Sequence, residues 1–171
     1  MRASVRGFDM IPDRDALKPA DVAKDVAVAA ACVFFLSFIF HVGVVNGNSM
    51  SPSLHDGDVV VYSSTTGTGL RRGDIVVFES DCGALVKRVV GLPGDNIVVE
   101  GGVVYLDGDE LSESYTAPGF YGPGDVEYPI TIPSGCYFVM GDNRPYSRDS
   151  RMRCVGMVHD EDVLGVVRLI L

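Results

Sequence analysis

Hydrophobic and polar positions divide the chain into three stretches of different period. Residues 1 to 21 mix Arg, Asp, Pro and Gly without periodicity, and a short mobile tail is expected there rather than a fold. From Val26 to Val45 the chain runs for 20 residues without a formal charge, interrupted only by Ser37 and His41. At about 1.5 Å per residue a helix of this run spans about 30 Å, the hydrocarbon thickness of a bilayer. It is apolar all round from Ala27 to Phe40, which leaves no polar face for water. A single transmembrane helix is therefore predicted over residues 22–45, with His41 at headgroup level. The run is longer than the roughly 7 to 15 apolar residues of a cleaved secretory signal, and Val45-Asn46-Gly47 is a poor cleavage site.

Beyond Asn46 the pattern becomes short and β-like. Asp58–Ser63, Asp74–Glu79, Ala84–Val90, Asn96–Glu100, Val103–Leu106, Glu127–Ile132, Cys136–Met140 and Val163–Leu169 are rich in Val, Ile, Tyr and Phe, and Gly-Asp, Gly-Gly and Pro-Ser-Gly punctuation separates them. Short strands with hairpin-length links predict a mainly β fold over residues 46–171: an antiparallel, strongly bent, barrel-like sheet. Ser112 to Val126, rich in Gly and Pro with three aromatics, reads as a long surface loop. The end of the chain is too short to span a membrane and contains Arg168, so a closing strand is predicted.

Size and charge sharpen this outline. With 171 residues, 47% hydrophobic, the chain has material for an anchor and one domain of about 100 to 150 residues. Residues 1 to 25 carry five Lys/Arg and five Asp, whereas residues 46 to 171 carry nine Lys/Arg against eighteen Asp/Glu. An acidic C-terminal part argues against a nucleic-acid partner. Five basic residues precede the apolar run and the next after it is Arg71, so the tail is expected inside the cell and the β domain outside. Cys82, Cys136 and Cys154 allow at most one disulfide in the β domain, or stay as buried thiols; the four cysteines have no zinc spacing.

The candidate chemistry begins two residues past the apolar run, at Asn48-Ser49-Met50-Ser51-Pro52-Ser53-Leu54. A serine hydroxyl is a weak nucleophile and needs a base within hydrogen-bond reach. His41 is predicted in the membrane, His55 shares the serine's own turn region, and His159 lies in an acidic segment; none is favoured, and none is excluded. Lys87 is the only lysine beyond residue 24, and strand alternation puts it on one face with Leu85 and Val89. Burial among those neighbours lowers a lysine's pKa, and a fall from ~10.4 to ~8 makes it a base near neutral pH. The other reading of the same pattern is a lysine that snorkels to water from a half-exposed strand. Gly141 to Arg151 packs hydroxyls, carboxylates and arginines into one loop, suited to orienting an amine or to satisfying its own backbone.

Together, Asn48 to Leu54 with Gly57-Asp58, Arg72 to Phe78, Lys87 to Asp95, and Gly141-Asp142-Asn143-Arg144 to Ser147-Arg148-Asp149-Ser150-Arg151 resemble the ordered sequence boxes of bacterial type I signal peptidases. The resemblance runs from about Val26 to Arg168. It implies a serine endopeptidase that removes signal peptides from exported preproteins after small, Ala-x-Ala-like residues. Ser49 would be the nucleophile and Lys87 the general base, with no metal or organic cofactor. Ser147 would hydrogen-bond the lysine, Asp142, Asp149 and Arg151 would hold the loop, and Met50 would line the substrate cleft. The Ser49 N–H would donate to the oxyanion. Gly47 stands where some members have a hydroxyl that completes that site, and the chain's length implies a core without a large inserted second domain. The partners implied are preprotein signal peptides and the lipid bilayer, the chain acting as a monomer in a bacterial cell membrane. A Ser/Lys autopeptidase and an inactive membrane-anchored binding or scaffold domain are the alternatives.

Overall fold

The computed structural model describes residues 19–64, 69–81 and 83–171. Helix α1 spans Pro19–Ile39. Its start is earlier than the expected Val22, with proline at the first helical position, where its missing N–H is not needed. Its end falls short of Val45, because Phe40–Val44 forms strand β1 and takes ladder hydrogen bonds from β2, Val59–Ser63, across five residue pairs. Val and Phe fit a pleated surface well, and apolar composition alone does not separate the last turn of a helix from a strand. His41 is consequently a strand residue, its ring 5.5 Å from that of Tyr62. Within the helix, the 18 residues Val22–Ile39 are long and apolar enough to cross a membrane. The chain divides into a unit ending at Phe38 and a unit of Ile39–Leu171.

The second unit holds two antiparallel sheets. Its other strands are β3 Ile75–Phe78, β4 Leu85–Gly91, β5 Asn96–Glu100, β6 Val103–Leu106, β7 Asp109–Glu110, β8 Ile130–Thr131, β9 Cys136–Met140, β10 Val158–His159 and β11 Val163–Ile170. A seven-stranded sheet has the order β1-β2-β11-β3-β4-β9-β10 and curls into a half-barrel. The smaller sheet has the order β7-β6-β5-β8. Each of the eight expected strands has a counterpart, but that expected over Glu127–Ile132 shrinks to the two residues of β8. β7 and β10, at two residues each, are too short to show a period, and β1 was concealed in the apolar run.

Every residue of β9 is buried, and its two faces serve different cores. Cys136, Phe138 and Met140 pack with Ile97, Val99, Val104 and Leu106 of the small sheet. Tyr137 and Val139 pack with Val76, Phe78, Val89 and Val166 inside the large one. A third cluster, Val45, Met50, Leu54 and Val60, lies beneath the serine turn.

Candidate active site

The turn bearing Ser49 is tied down at both ends. Val45 N–H donates to Asp58 O at 2.8 Å, Gly57 N–H to Val45 O at 2.9 Å, and Leu54 N–H to Met50 O at 2.9 Å. Met50 is fully buried in the third cluster and, against expectation, does not line the cleft. The late loop holds the turn from the other side: Asn143 N–H donates to Ser49 O at 3.0 Å and its Nδ2 to Asn48 O at 3.0 Å. Between them passes Gly141. A β-carbon there would lie 2.4 Å from Ser49 O and 2.2 Å from Ser147 Oγ, so only glycine lets the two loops approach this closely.

Lys87 reaches this turn from β4. Its side chain is 3% exposed, so it does not snorkel to water. Nζ is 2.8 Å from Ser49 Oγ and donates to Val86 O at 2.7 Å. Loss of hydration on burial is the main cause that lowers its pKa from 10.5 to about 8; Asp149 and Asp142 oppose the shift and Arg148 adds to it. Neither His55 nor His159 has a contact to Ser49 among the described residues. His55 faces Asp58, its Nδ1 3.8 Å from a carboxylate oxygen, and His159 Nδ1 is 3.4 Å from Cys136 Sγ.

Beneath the pair lies a web of buried charge. Asp142, with no exposed surface, accepts from Arg88 Nε at 2.8 Å and from a second guanidinium nitrogen at 2.6 Å. The same Arg88 donates to Ser53 Oγ and Gly73 O and lies 4.1 Å over the ring of Tyr115. Asp149 binds Arg151 in a fork, at 2.8 and 2.9 Å, and accepts from Gly141 N–H at 3.0 Å. Such bidentate pairs fix geometry as well as charge. Asp142 thus ties the loop to β4, while Asp149 and Arg151 pair with each other inside it. Ser147 is buried in the same loop, yet among the described residues its Oγ has no hydrogen-bond partner; Lys87 donates to Val86 O instead.

Two functional groups lie in the segment read from sequence as a surface loop. Glu113 pairs with the fully buried Arg144, at 2.5 and 2.8 Å, and Tyr121 lies between Arg144 and Arg151. A partial signal lies in the charges: in Lys87-Arg88 and the Gly141–Arg151 loop four arginines stand against two carboxylates, Asp142 and Asp149, an imbalance that a carboxylate from another segment relieves. Where it lay had no periodic mark, because this segment contains neither helix nor strand.

A cleft of about 220 Å³ ends on Ser49 and Lys87, lined otherwise by Val, Leu, Ala, Gly, Asn and one tyrosine. Among the described residues the Ser49 N–H has no acceptor, whereas the Gly47 N–H is committed to Asp56 at 2.7 Å. No cluster of His, Cys, Asp and Glu suited to a metal occurs among the described residues. Cys32, Cys136 and Cys154 are free thiols, and the possible pairing of Cys82 lies outside the described residues.

A curled antiparallel sheet whose apolar cleft ends on a serine hydroxyl and a desolvated lysine amine has the make-up of a serine peptidase. Residues 20–171 match the family described as signal peptidase, peptidase S26. The chain is 36% identical over 160 residues to signal peptidase I of Bacillus licheniformis, covering 86% of this chain and 85% of the relative. Against signal peptidase I U of Bacillus subtilis it is 34% identical over 162 residues, covering 87% and 85%. A solved signal peptidase I from Enterococcus faecalis matches 59% of this chain and 98% of its own at 33% identity, with a TM-score of 0.48. The chain belongs to the signal peptidase I family of serine endopeptidases. Membership implies signal peptides as substrates, and together with the apolar helix it implies membrane anchoring.

Proposed function

We propose that Ser49 is the nucleophile and Lys87 the general base of a membrane-anchored signal peptidase. The observation that carries this reading is the 2.8 Å approach of the Lys87 amine to Ser49 Oγ. A neutral amine has two N–H bonds and one lone pair. The bond to Val86 O at 2.7 Å uses one N–H, which leaves the lone pair free to face the serine. Lys87 takes the hydroxyl proton as Oγ bonds to the scissile carbonyl carbon, and the Ser49 N–H donates to the oxyanion. The ammonium then passes its proton to the departing amine, and the C–N bond breaks to leave an acyl-enzyme. Water, deprotonated by Lys87, attacks the ester and releases Ser49.

Asp142, Asp149 and Arg151 hold the late loop, and Ser147 offers a buried, uncommitted hydroxyl beside the same turn. The cleft's small volume and mostly apolar lining support a preference for Ala-x-Ala-like sites. Residues 22–39 form the anchor, with the tail inside the cell and the catalytic unit outside on the strength of the flanking charges. The chain acts as a monomer. Confining enzyme and preprotein to one membrane raises their local concentration and restricts their relative orientation.

The test is single-turnover cleavage of an Ala-x-Ala preprotein in detergent. Wild type is expected to cut after the site, and Ser49→Ala and Lys87→Ala, each shown to be folded, to lose at least about 10³-fold in rate. A Lys87→Ala protein that cuts at the wild-type rate would move the base elsewhere.

A further inference from the structure

Among the described residues lining the cleft, Tyr62 is the only aromatic one. Two residues before it on β2, Val60 packs with Val45 and Met50 beside the Ser49 turn. Side chains two apart on a strand share a face and stand about 6.6 Å apart. Tyr62 therefore lies one such step further along the cleft, away from the reacting pair. An extended peptide has the same repeat. With the residue just before the scissile bond beside Ser49, Val45 and Val60, the side chain two residues earlier arrives over Tyr62.

The sheet makes room for this ring by omitting side chains next to it. A β-carbon added to Gly165 would lie 2.9 Å from Tyr62 Cδ2 and 2.5 Å from Ser63 O, and one added to Gly43 would lie 3.6 Å from Tyr62 Cε1. His41, directly opposite on β1, stacks on the ring with centroids 5.5 Å apart. Glycines on both neighbouring strands and a stacked imidazole thus define one slot, and the aromatic ring occupies it.

We infer that Tyr62 is a specificity-determining residue: its ring limits the cleft at the position two residues before the cleavage-site residue and restricts that position to a small side chain. The inference rests on the proposed Ser49/Lys87 reading, which fixes the direction in which the substrate lies.

Three preproteins, Ala-x-Ala, Leu-x-Ala and Ala-x-Leu, are compared by kcat/KM with the full chain in detergent. In wild type Leu-x-Ala is expected to fall roughly 10- to 100-fold below Ala-x-Ala. Tyr62→Ala should narrow that ratio at least tenfold while leaving discrimination against Ala-x-Leu in place, and Tyr62→Phe should keep the wild-type ratio. Tyr62→Val, which retains β propensity, has the same expectation should the alanine variant unfold. An unchanged Leu-x-Ala ratio, or equal relaxation at both positions, overturns the inference while the wild-type cleavage stands. A wild type that cuts none of the three removes the catalytic reading and the inference together.

Discussion

Lys87 is the residue at which stability and reactivity oppose each other. Its pKa is 10.5 in the unfolded reference and about 8 in the fold. Between these values the unfolded chain binds a proton that the folded one does not, so stability rises with pH across that window. Below pH 8 both states are charged and the full desolvation cost remains, about 3 kcal/mol at 1.36 kcal/mol per unit. Lys87→Met is therefore expected to stabilise the fold at pH 7 by up to about 3 kcal/mol in denaturant titrations, with the gain vanishing above pH 10.5, and to abolish cleavage. In wild type the single-turnover rate should climb through pH 8 as the amine loses its proton. A flat profile with chemistry rate-limiting would falsify the role of Lys87 as base.

At the scale of elements, three segments without regular strand structure do the holding: the Ser49 turn, the Gly141–Arg151 loop and the 112–126 segment. The last is sewn to the second by Ala117 N–H to Asp142 O at 2.9 Å and Asp125 N–H to Arg151 O at 3.0 Å. Its strongest tie is the Glu113–Arg144 pair, with both side chains nearly or fully buried. Breaking one side of such a pair leaves a buried charge without its counterion. Glu113→Gln should thus cost about 3 kcal/mol in unfolding free energy and lower the cleavage rate. Adding Arg144→Met should return part of the stability, a coupling that a double-mutant cycle measures. The boxes around Ser49, Lys87 and Asp142 were legible in the sequence because each clusters its chemistry within a few residues. Glu113 was not, because its partner is 31 residues away in a segment without a period. Met50 was misplaced for a related reason: adjacency to the serine says nothing about which way a turn points its next side chain.

At the scale of the whole molecule, the strand order and the limits of the anchor are what the sequence conveyed least. Eight strands followed from alternation, but the helix was read through to Val45 because the whole run is apolar. The structure assigns Phe40–Val44 to the edge of the seven-stranded sheet, where Gly43 and Val44 also line the cleft. A chain begun at Ile39 is expected to fold and to cleave a soluble signal-site peptide. One begun at Asn46 lacks β1, exposes the ladder edge of β2 and should lose cleavage and aggregate, as circular dichroism and peptide turnover would register.

The position of β11 has a consequence in time. It lies between β2 and β3, so in the strand ladder the β1-β2 half, which leads into and out of the Ser49 turn, meets the half that includes Lys87 through residues 163–170. Ser63 waits for Val166, its partner in the ladder, across about 100 residues of chain, and such long-range pairings form slowly. A ribosome making this protein from its N-terminus therefore delivers Ser49 and Lys87 well before the strand that joins their two parts of the sheet, and the ladder closes only once residues 163–170 have emerged.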